Sequence, residues 1–309
     1  MMSGSASAPT PFGRPKKKSS SGRRRRNLYS ILGQITDRDM QLLLQLYEHK
    51  ILTTHQVHEL HFSSEHRARQ RLRQLYERAV LDRFRPHQHP GSQPHHYYLD
   101  DLGAKLVAGY LGVELKELRF RKERIFRLSR SRFLEHLRET NGFFTRLAYA
   151  CRQSDGALGL THWYGERRAE TLLIRPDGMG CVETSNDLIA FWVELDRGTE
   201  PHGRLRSKMH RIADPGLPAD TLPHAALFCF HSERREVSAR KALWNLDYIT
   251  VATTTMERHR AIPLGPIWLP MRAGQRLSLM ELAIHERNDL HLPTEATLIP
   301  RDDPYEASW

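Results

Sequence analysis

Two stretches of this sequence decide the fold of its second half: Arg175-Pro176-Asp177-Gly178, and Trp192-Val193-Glu194-Leu195-Asp196-Arg197-Gly198-Thr199. The second stretch continues an apolar run, which predicts a strand. Because side chains alternate across a strand, Glu194 and Asp196 project from one face while Val193 and Leu195 pack beneath them. Asp177 is predicted at the end of the preceding strand, so three carboxylates would lie near one another and could hold a divalent cation.

These acids, with a lysine further along the chain, suit the hydrolysis of a phosphodiester. That reaction needs the charge that develops on the phosphate to be neutralised and a water to be made nucleophilic, and a carboxylate-bound cation supplies both. We therefore predict Mg²⁺ or Mn²⁺ as cofactor. The predicted catalytic residues are Asp177, Glu194, Asp196 and Lys208; the three acids are the metal ligands, and Lys208, on a predicted helix, orients the water or stabilises the transition state.

A purely structural interpretation of the same residues stays open. Asp177 would then cap a turn, and Glu194 and Asp196 would pair with Arg197 and Arg204 in an ion network. No glycine loop of the G-x-x-x-x-G-K-[ST] or G-x-G-x-x-G type occurs, so the sequence indicates no nucleotide cofactor. The three cysteines are far apart without a C-x-x-C pair, which predicts buried free thiols.

In the first half of the chain, the spacing of apolar residues predicts three short amphipathic helices followed by a hairpin. One helix covers residues 36–50, a second follows the Thr53-Thr54 cap, and a third follows Ser63-Ser64. Residues 80–85 and 96–99 predict two strands around a tip rich in Pro, Gly and His. The tip histidines, His87, His89, His95 and His96, fit a polar loop better than a metal site. The whole pattern, over residues 34–112, resembles winged-helix DNA-binding domains.

In a winged helix the third helix enters the major groove of DNA. The predicted DNA-binding residues are those that would be exposed on this helix or on the wing: Ser64, His66, Arg67, Gln70, Arg71, Arg73, Arg83 and Arg85. Arg and Gln are side chains that can read base edges bidentately. Two alternatives stay open, a merely solvated basic face and a module for dimerisation or protein docking.

The charge of the chain is unevenly distributed. The formal net charge is +11, and residues 1–30 carry eight Lys and Arg residues and no acid, which predicts a disordered basic tail. Such a tail would clamp DNA phosphates, solubilise the chain or act as a nuclear localisation signal. No apolar run approaches the ~18 residues that span a bilayer, which predicts a soluble, cytoplasmic protein without membrane contact.

The length of 309 residues suits two domains of ordinary size. The pattern of residues 113–150 predicts one long helical connector with a basic face. Residues 151–288 show short apolar runs, a pattern typical of an α/β domain: the runs are at 171–174, 188–193, 225–230 and 248–252, with helices predicted at 201–212 and 233–246 and a last short strand at 265–270. Residues 289–309 predict a tail. The predicted fold class is therefore α+β, with an N-terminal winged helix-turn-helix followed by an α/β domain.

The second half resembles the PD-(D/E)xK restriction-endonuclease-like superfamily. Pro176-Asp177 and Glu194 match its acidic positions, whereas Asp196 stands where the superfamily has its lysine, and Lys208 is the candidate for a lysine moved to a neighbouring element. A winged helix, Pro-Asp-Gly, the string Glu-Leu-Asp-Arg-Gly-Thr-Glu at 194–200 and a helix with a lysine together resemble the replication-relaxation family of bacterial plasmids and mobile elements. This resemblance covers about residues 36–270.

The resemblance implies a winged helix joined to a restriction-endonuclease-like α/β domain. It also implies a DNA-binding role in plasmid or mobile-element replication or topology control, with metal-dependent DNA nicking as an open possibility. The partners to consider are double-stranded DNA and plasmid replication or mobilisation proteins, and a homodimer stays open. The alternative is a non-catalytic winged-helix transcriptional regulator or docking protein with a degenerate nuclease fold.

Overall fold

The computed structural model describes residues 28–86, 93–165, 175–198, 201–213, 223–246 and 249–282. In these ranges the protein is mixed α+β, with helices and two sheets. Several sequence predictions lie outside the described residues: most of the basic tail, the C-terminal tail, the hairpin tip with His87 and His89, and the apolar run at 171–174.

The first sheet and the helices around it are built from residues 29–110. In chain order the elements are α1 (Tyr29–Leu32), α2 (Asp37–His49), β1 (Leu52–Thr53), α3 (Thr54–His61), α4 (Glu65–Glu77), β2 (Leu81–Phe84), β3 (His96–Leu99) and α5 (Asp101–Tyr110). Helices α2, α3 and α4 begin where side chains cap their free backbone N–H groups. Thr36 accepts from the backbone N–H of Asp39, Thr53 accepts from that of Gln56, and Ser64 caps α4 in the same way. The three predicted helices are confirmed.

The predicted hairpin is also confirmed. Strands β2 and β3 pair antiparallel, from Leu81 opposite Leu99 to Phe84 opposite His96. Strand β1 adds to the other side of β3, which gives the order β1-β3-β2. The sequence did not predict β1, because two residues are too short to show the alternation of a strand.

Two helices lie where the sequence predicted one long helix: α6 (Lys122–Leu128) and α7 (Phe133–Arg152). Helix α7 contacts both sheets and helix α3. The side-chain amide of Asn141 donates to the carbonyl of Ile51 at 2.7 Å, and that of Gln56 donates to the carbonyl of Arg138 at 2.9 Å. Phe144, further along α7, is fully buried. One apolar cluster consequently contains residues of both sheets.

The second sheet is a mixed sheet built from residues 159–270. Its elements are β4 (Gly159–Gly165), β5 (Gly178–Glu183), β6 (Leu188–Asp196), α8 (His202–Ile212), β7 (Ala225–Phe230), α9 (Glu233–Arg240), β8 (Thr250–Thr255), α10 (Met256–Ala261) and β9 (Leu269–Pro270). The strand order follows the chain from β4 to β9. Strands β4, β5 and β6 are antiparallel, β7 and β8 add in parallel, and β9 is antiparallel.

The two faces of this sheet bury different side chains. Phe191, Val193 and Leu195 of β6 belong to the cluster that includes α7. Trp192, on the opposite face, packs with Leu205 of α8. Because side chains alternate along a strand, Glu194 and Asp196 share the face of Trp192, next to α8 and α9.

The position of Asp177 relative to the strands differs from the prediction. Asp177 comes immediately before strand β5, instead of ending a strand, because Gly178–Glu183 forms a strand that the sequence did not predict. Glycine weakens a strand pattern, but both glycines of β5 are required by packing. A Cβ on Gly178 would lie 2.4 Å from Phe144, and one on Gly180 would lie 2.6 Å from Phe191.

Other boundaries also differ from the predictions. Helix α9 ends at residue 240 instead of 246, strand β8 begins at residue 250 instead of 248, and the last predicted strand, at 265–270, is reduced to β9. The three cysteines, Cys151, Cys181 and Cys229, are buried free thiols, as predicted. Of the helices that the structure describes, none has the length and apolar character needed to cross a membrane.

Candidate functional site

Asp177 and Glu194 lie opposite each other at the start of β5 and the end of β6. Gly178 pairs with Val193 in the antiparallel register, so the residue before Gly178 faces the residue after Val193. The backbone N–H of Leu195 donates to Asp177 Oδ2 at 2.8 Å and fixes this carboxylate against β6. The two acids are thus brought together by strand pairing, although 17 positions separate them in the sequence.

Lys208 reaches this pair from helix α8. Leu205 and Met209 of α8 are buried against the sheet, and this packing directs Lys208 toward the end of β6. Its Nζ donates a hydrogen bond to Glu194 Oε2. The side chain of Glu194 is 8% exposed and that of Lys208 is 20% exposed, so the ion pair is largely removed from water.

His136 of α7 is a member of this site that the sequence analysis missed. Its Nε2 lies 3.0 Å from Asp177 Oδ1. The hydrogen bond to Asp177 raises the pKa of His136, and this effect exceeds the opposing effect of burial. Phe143 follows His136 after two helical turns, and an apolar residue at that spacing could have indicated that this side of the helix is covered.

The charges around Asp177 keep it ionised. Burial alone favours the neutral acid, but the hydrogen bond and charge of His136, the charge of Lys208 and the N–H of Leu195 together lower the pKa of Asp177. The site therefore combines two carboxylates with one ammonium and one imidazole. We call Asp177, Glu194, Lys208 and His136 the carboxylate–lysine cluster.

Asp196 shares the face of Glu194 but has different partners. Arg235 of α9 donates to Asp196 Oδ2 from Nε at 3.1 Å and from Nη2 at 2.7 Å. The backbone N–H of Gly198, whose φ of +80° turns the chain after β6, donates to Oδ1. Asp196 thus connects the end of β6 to α9 and closes a turn.

Arg197 has a different partner from the one expected in the structural ion network. Arg197, one of its expected cations, has its Nε 3.0 Å from Glu139 Oε2 of α7. Glu194 is paired with Lys208, and Asp196 is paired with Arg235; these cations come from the two helices packed on their face.

Helix α4 carries most of the predicted DNA-binding residues, and they divide into two groups. His66, Arg67 and Gln70 have exposed side chains on one side of the helix. Ser64 is the N-cap, and Nη1 of Arg67 donates to Ser63 Oγ at 3.2 Å. These side chains form a polar, positively charged surface.

Arg71 belongs to the second group, because its guanidinium makes hydrogen bonds to other parts of the protein. Its Nε donates to Asp39 Oδ1 at 2.8 Å, and its Nη2 donates to the carbonyl of Gln34 at 2.9 Å. Asp39 is almost fully buried, and although burial favours the neutral acid, hydrogen bonds from Arg71 and Thr36 lower the pKa of Asp39. Arg71 therefore fastens α4 to the start of α2.

Arg73 is exposed and pairs with Glu77 on the same helix, at 2.8 Å. On the hairpin, the guanidinium of Arg83 lies 4.2 Å from the ring centroid of Tyr76, and Arg85 is exposed. His96 is not part of a polar tip: it is fully buried and its ring stacks on Phe84, and burial lowers its pKa to about 4.

The fold and the site define a mixed α+β protein with a cluster of one buried carboxylate, one partly buried carboxylate and a lysine at one end of its larger sheet. A family model described as replication-relaxation matches residues 43–214, which is more than half of the chain. The chain therefore belongs to the replication-relaxation family. The matched range includes α4, the carboxylate–lysine cluster and Asp196. Comparison with curated proteins and with solved structures gives no match.

Proposed function

We propose that this protein binds double-stranded DNA through a winged helix and nicks it, with Mg²⁺ or Mn²⁺, in a restriction-endonuclease-like domain, as part of plasmid or mobile-element replication or topology control. The observation that carries this proposal is the convergence of Asp177, Glu194 and Lys208. One acid at the start of β5, one acid on the paired strand β6 and a lysine on the following helix supply the chemical groups that phosphodiester hydrolysis needs.

The arrangement around the first sheet supports the DNA-binding part. Helices α2, α3 and α4 followed by the β2–β3 hairpin have the order of a winged helix, in which α4 would be the recognition helix. His66, Arg67 and Gln70 are exposed on α4, and Arg85 is exposed on the hairpin. Arg71 is better assigned to the support of α4, since Asp39 holds it.

The arrangement of the second sheet supports the nuclease part. Asp177 and Glu194 meet where β5 and β6 pair, which is the placement expected of the Pro-Asp and the downstream acid in a restriction-endonuclease-like domain. Lys208 on α8 would take the role of the lysine that Asp196 replaces on β6. Its ammonium lies beside Glu194, where it can stabilise negative charge on a phosphate.

The residues present fit a hard divalent cation at two of the three predicted ligands. Asp177, just before β5, and Glu194, on the paired strand β6, offer carboxylate oxygens, which suit Mg²⁺ or Mn²⁺. Asp196 fits less well, since Arg235 and Gly198 already engage its two oxygens. When bound, the cation would neutralise charge on the phosphate and make a water nucleophilic. The chain itself contributes the ammonium of Lys208 and His136, which holds Asp177 in place.

A second candidate is a DNA-binding regulator or docking protein whose nuclease fold is no longer catalytic. The observation in its favour is that each acid of the cluster already has a cationic partner, His136 for Asp177 and Lys208 for Glu194. Because these partners balance the negative charges of Asp177 and Glu194, the fold does not need a bound cation for its stability. In that case the chain would bind DNA without cleaving it.

Incubation of the full chain with supercoiled plasmid and Mg²⁺ or Mn²⁺ tests the proposal. We expect nicked plasmid with the wild-type chain and a loss of more than about 100-fold in the nicking rate for Asp177→Asn and Glu194→Gln. Glu257→Gln, an exposed acid on α10 outside both groups of acids, is the matched control and should nick normally. Plasmid that is retarded on the gel but not cleaved by any variant would support the second candidate instead.

A further inference from the structure

Side chains of three types that can bind a metal ion, a histidine, a cysteine and a glutamate, lie together at the other end of β5, on the pair formed with the edge strand β4. The register of this pair shifts between Leu160, which faces Val182, and His162, which faces Cys181. Thr161 is the extra residue of this β-bulge. A bulge places two successive side chains opposite one partner, so Thr161 and His162 both turn toward Cys181.

Glu183 completes the group, because residues two apart on a strand share a face. A ring nitrogen of His162, Sγ of Cys181 and a carboxylate oxygen of Glu183 all lie within 4.8 Å of one another. The distance from Cys181 Sγ to Glu183 Oε1 is 3.7 Å. Sulfur at about 2.3 Å and oxygen at about 2.1 Å from a tetrahedral ion lie about 3.6 Å apart, so these two ligands already have nearly the required spacing.

We propose that His162, Cys181 and Glu183 bind a transition-metal ion of the Zn²⁺ class. The donor set decides the class: a thiolate and an imidazole select Zn²⁺ and similar ions, whereas Mg²⁺ prefers oxygen ligands alone. This inference goes beyond the proposed nicking of DNA and does not depend on it. Along β5, Cys181 is about 14 Å from Asp177, so the two sites would bind their ions separately.

Thr161 is placed to orient two of the ligands. Its hydroxyl lies 2.9 Å from Glu183 Oε1 and 3.0 Å from Nδ1 of His162. Hydrogen bonds of this kind fix the direction of a ligand and raise metal affinity. The bulge that brings His162 onto the correct face therefore also brings its supporting hydroxyl.

Burial keeps the Cys181 thiol protonated in the metal-free protein, since it raises the pKa of this group to about 12. Metal binding would replace this proton: the S–H bond breaks, a metal–sulfur bond forms and one proton is released to water. Three protein ligands leave a fourth tetrahedral position. His162 and Glu183 also line a groove together with His61, Arg152 and Trp163, and a water or small ligand entering the groove could occupy that position.

Titration of the metal-free full chain with Co²⁺ tests the site, because thiolate ligation gives a sulfur-to-cobalt charge-transfer band that histidines and carboxylates do not produce. We expect this band in the wild-type chain and in the controls Cys151→Ser and Cys229→Ser, and its loss in Cys181→Ser. Thr161→Val should weaken Co²⁺ binding by about 10–100-fold, and Glu183→Gln by more than that.

The inference is overturned if the wild-type chain shows no charge-transfer band, or if the band survives in Cys181→Ser. It is also overturned if Glu183→Gln binds Co²⁺ as tightly as the wild type. Glu183 is partly exposed and Gln has nearly the same shape, so this variant decides the matter even if Cys181→Ser fails to fold. Zn²⁺ added to the Co²⁺-loaded wild-type chain should abolish the band by displacement.

Discussion

Lys208 on helix α8 donates a hydrogen bond from Nζ to Oε2 of Glu194 on strand β6, and so connects the helix to the end of the strand. The pair is mostly buried, which makes each partner costly to remove alone. The ion pair of Lys208 and Glu194 is expected to contribute both to the stability of the fold and to the proposed nicking of DNA, and substitutions can separate these two roles.

Lys208→Met should lower the free energy of unfolding by about 2 kcal/mol, less than the about 3–5 kcal/mol of a fully buried pair. Glu194→Gln in the same chain removes the charge that Lys208 balanced, so the double variant should regain most of that stability. Urea unfolding measures both effects. Neither variant should nick plasmid. A Lys208→Met chain that nicks at the wild-type rate would show that this lysine has no part in the reaction.

The pair of His136 and Asp177 predicts a pH-dependent stability. The pKa of His136 is raised in the folded chain, so its contribution is fully present below its ordinary value of about 6.5 and is lost as the pH rises through the raised pKa. The pKa of Asp177 is lowered, so its contribution is present above about 3.8 and is lost as the pH falls through the lowered pKa. The pair should therefore stabilise the fold most between these limits.

Thermal unfolding of the wild type and of His136→Asn over a range of pH measures this dependence. The difference in Tm should be largest between the ordinary values of the two groups, about 3.8 and about 6.5, and should shrink as the pH rises through the raised pKa of His136. We expect a difference of up to about 3 °C, since 1 kcal/mol corresponds to about 2–4 °C in a domain of this size. A difference that stays constant across this range would mean that His136 acts only through packing.

Arg71 and Arg67 lie on the same helix but should respond differently to truncation. Arg71→Ala leaves the buried carboxylate of Asp39 without its guanidinium and should cost about 2–3 kcal/mol of stability. Arg67→Ala should change stability by no more than about 0.5 kcal/mol and weaken binding to duplex DNA by about tenfold. Denaturant unfolding and fluorescence anisotropy with a labelled duplex measure the two effects. Equal DNA affinity for Arg67→Ala and the wild type would argue against α4 as the recognition helix.

Gly178 is required by its distance from Phe144. A Cβ there would lie 2.4 Å from Cε2 of Phe144, so Gly178→Ala should destabilise the fold by about 1–3 kcal/mol. Phe144→Leu should recover part of this cost in the double variant. Gly203→Ala, on α8, is the matched control, because nothing lies within 4 Å of the added atom. The control should be as stable as the wild type or slightly more stable.

The parts of the fold that the sequence predicted are set by local signals. The caps Thr36, Thr53 and Ser64, the apolar spacing after them and the unbroken run Ala225–Phe230 mark their elements without help from the rest of the chain. Strand β5 was missed for the opposite reason. Its two glycines follow from contacts with Phe144 and Phe191, which are distant in the sequence.

The same distinction applies to the candidate site. Glu194 and Lys208 could be identified from the sequence. Glu194 continues the apolar run of a predicted strand, and Lys208 lies on a predicted helix. His136 could not be assigned to the site, since only the packing of α7 across the sheet brings it to Asp177. The ion pairs of Arg71 and Asp196 could not be predicted either, because their partners, Asp39 and Arg235, belong to other elements.

Binding of Mn²⁺ to the full chain tests the central claim, that Asp177 and Glu194 form a cation site, most directly. The electron paramagnetic resonance signal of free Mn²⁺, recorded during a titration, measures the bound fraction. We predict one site that is lost in Asp177→Asn and in Glu194→Gln and retained in Cys181→Ser, which separates it from the proposed Zn²⁺-class site. If Mn²⁺ does not bind, or binds equally to the wild type and both carboxylate variants, the carboxylate–lysine cluster is an ion network and the account of it as a nuclease site is wrong.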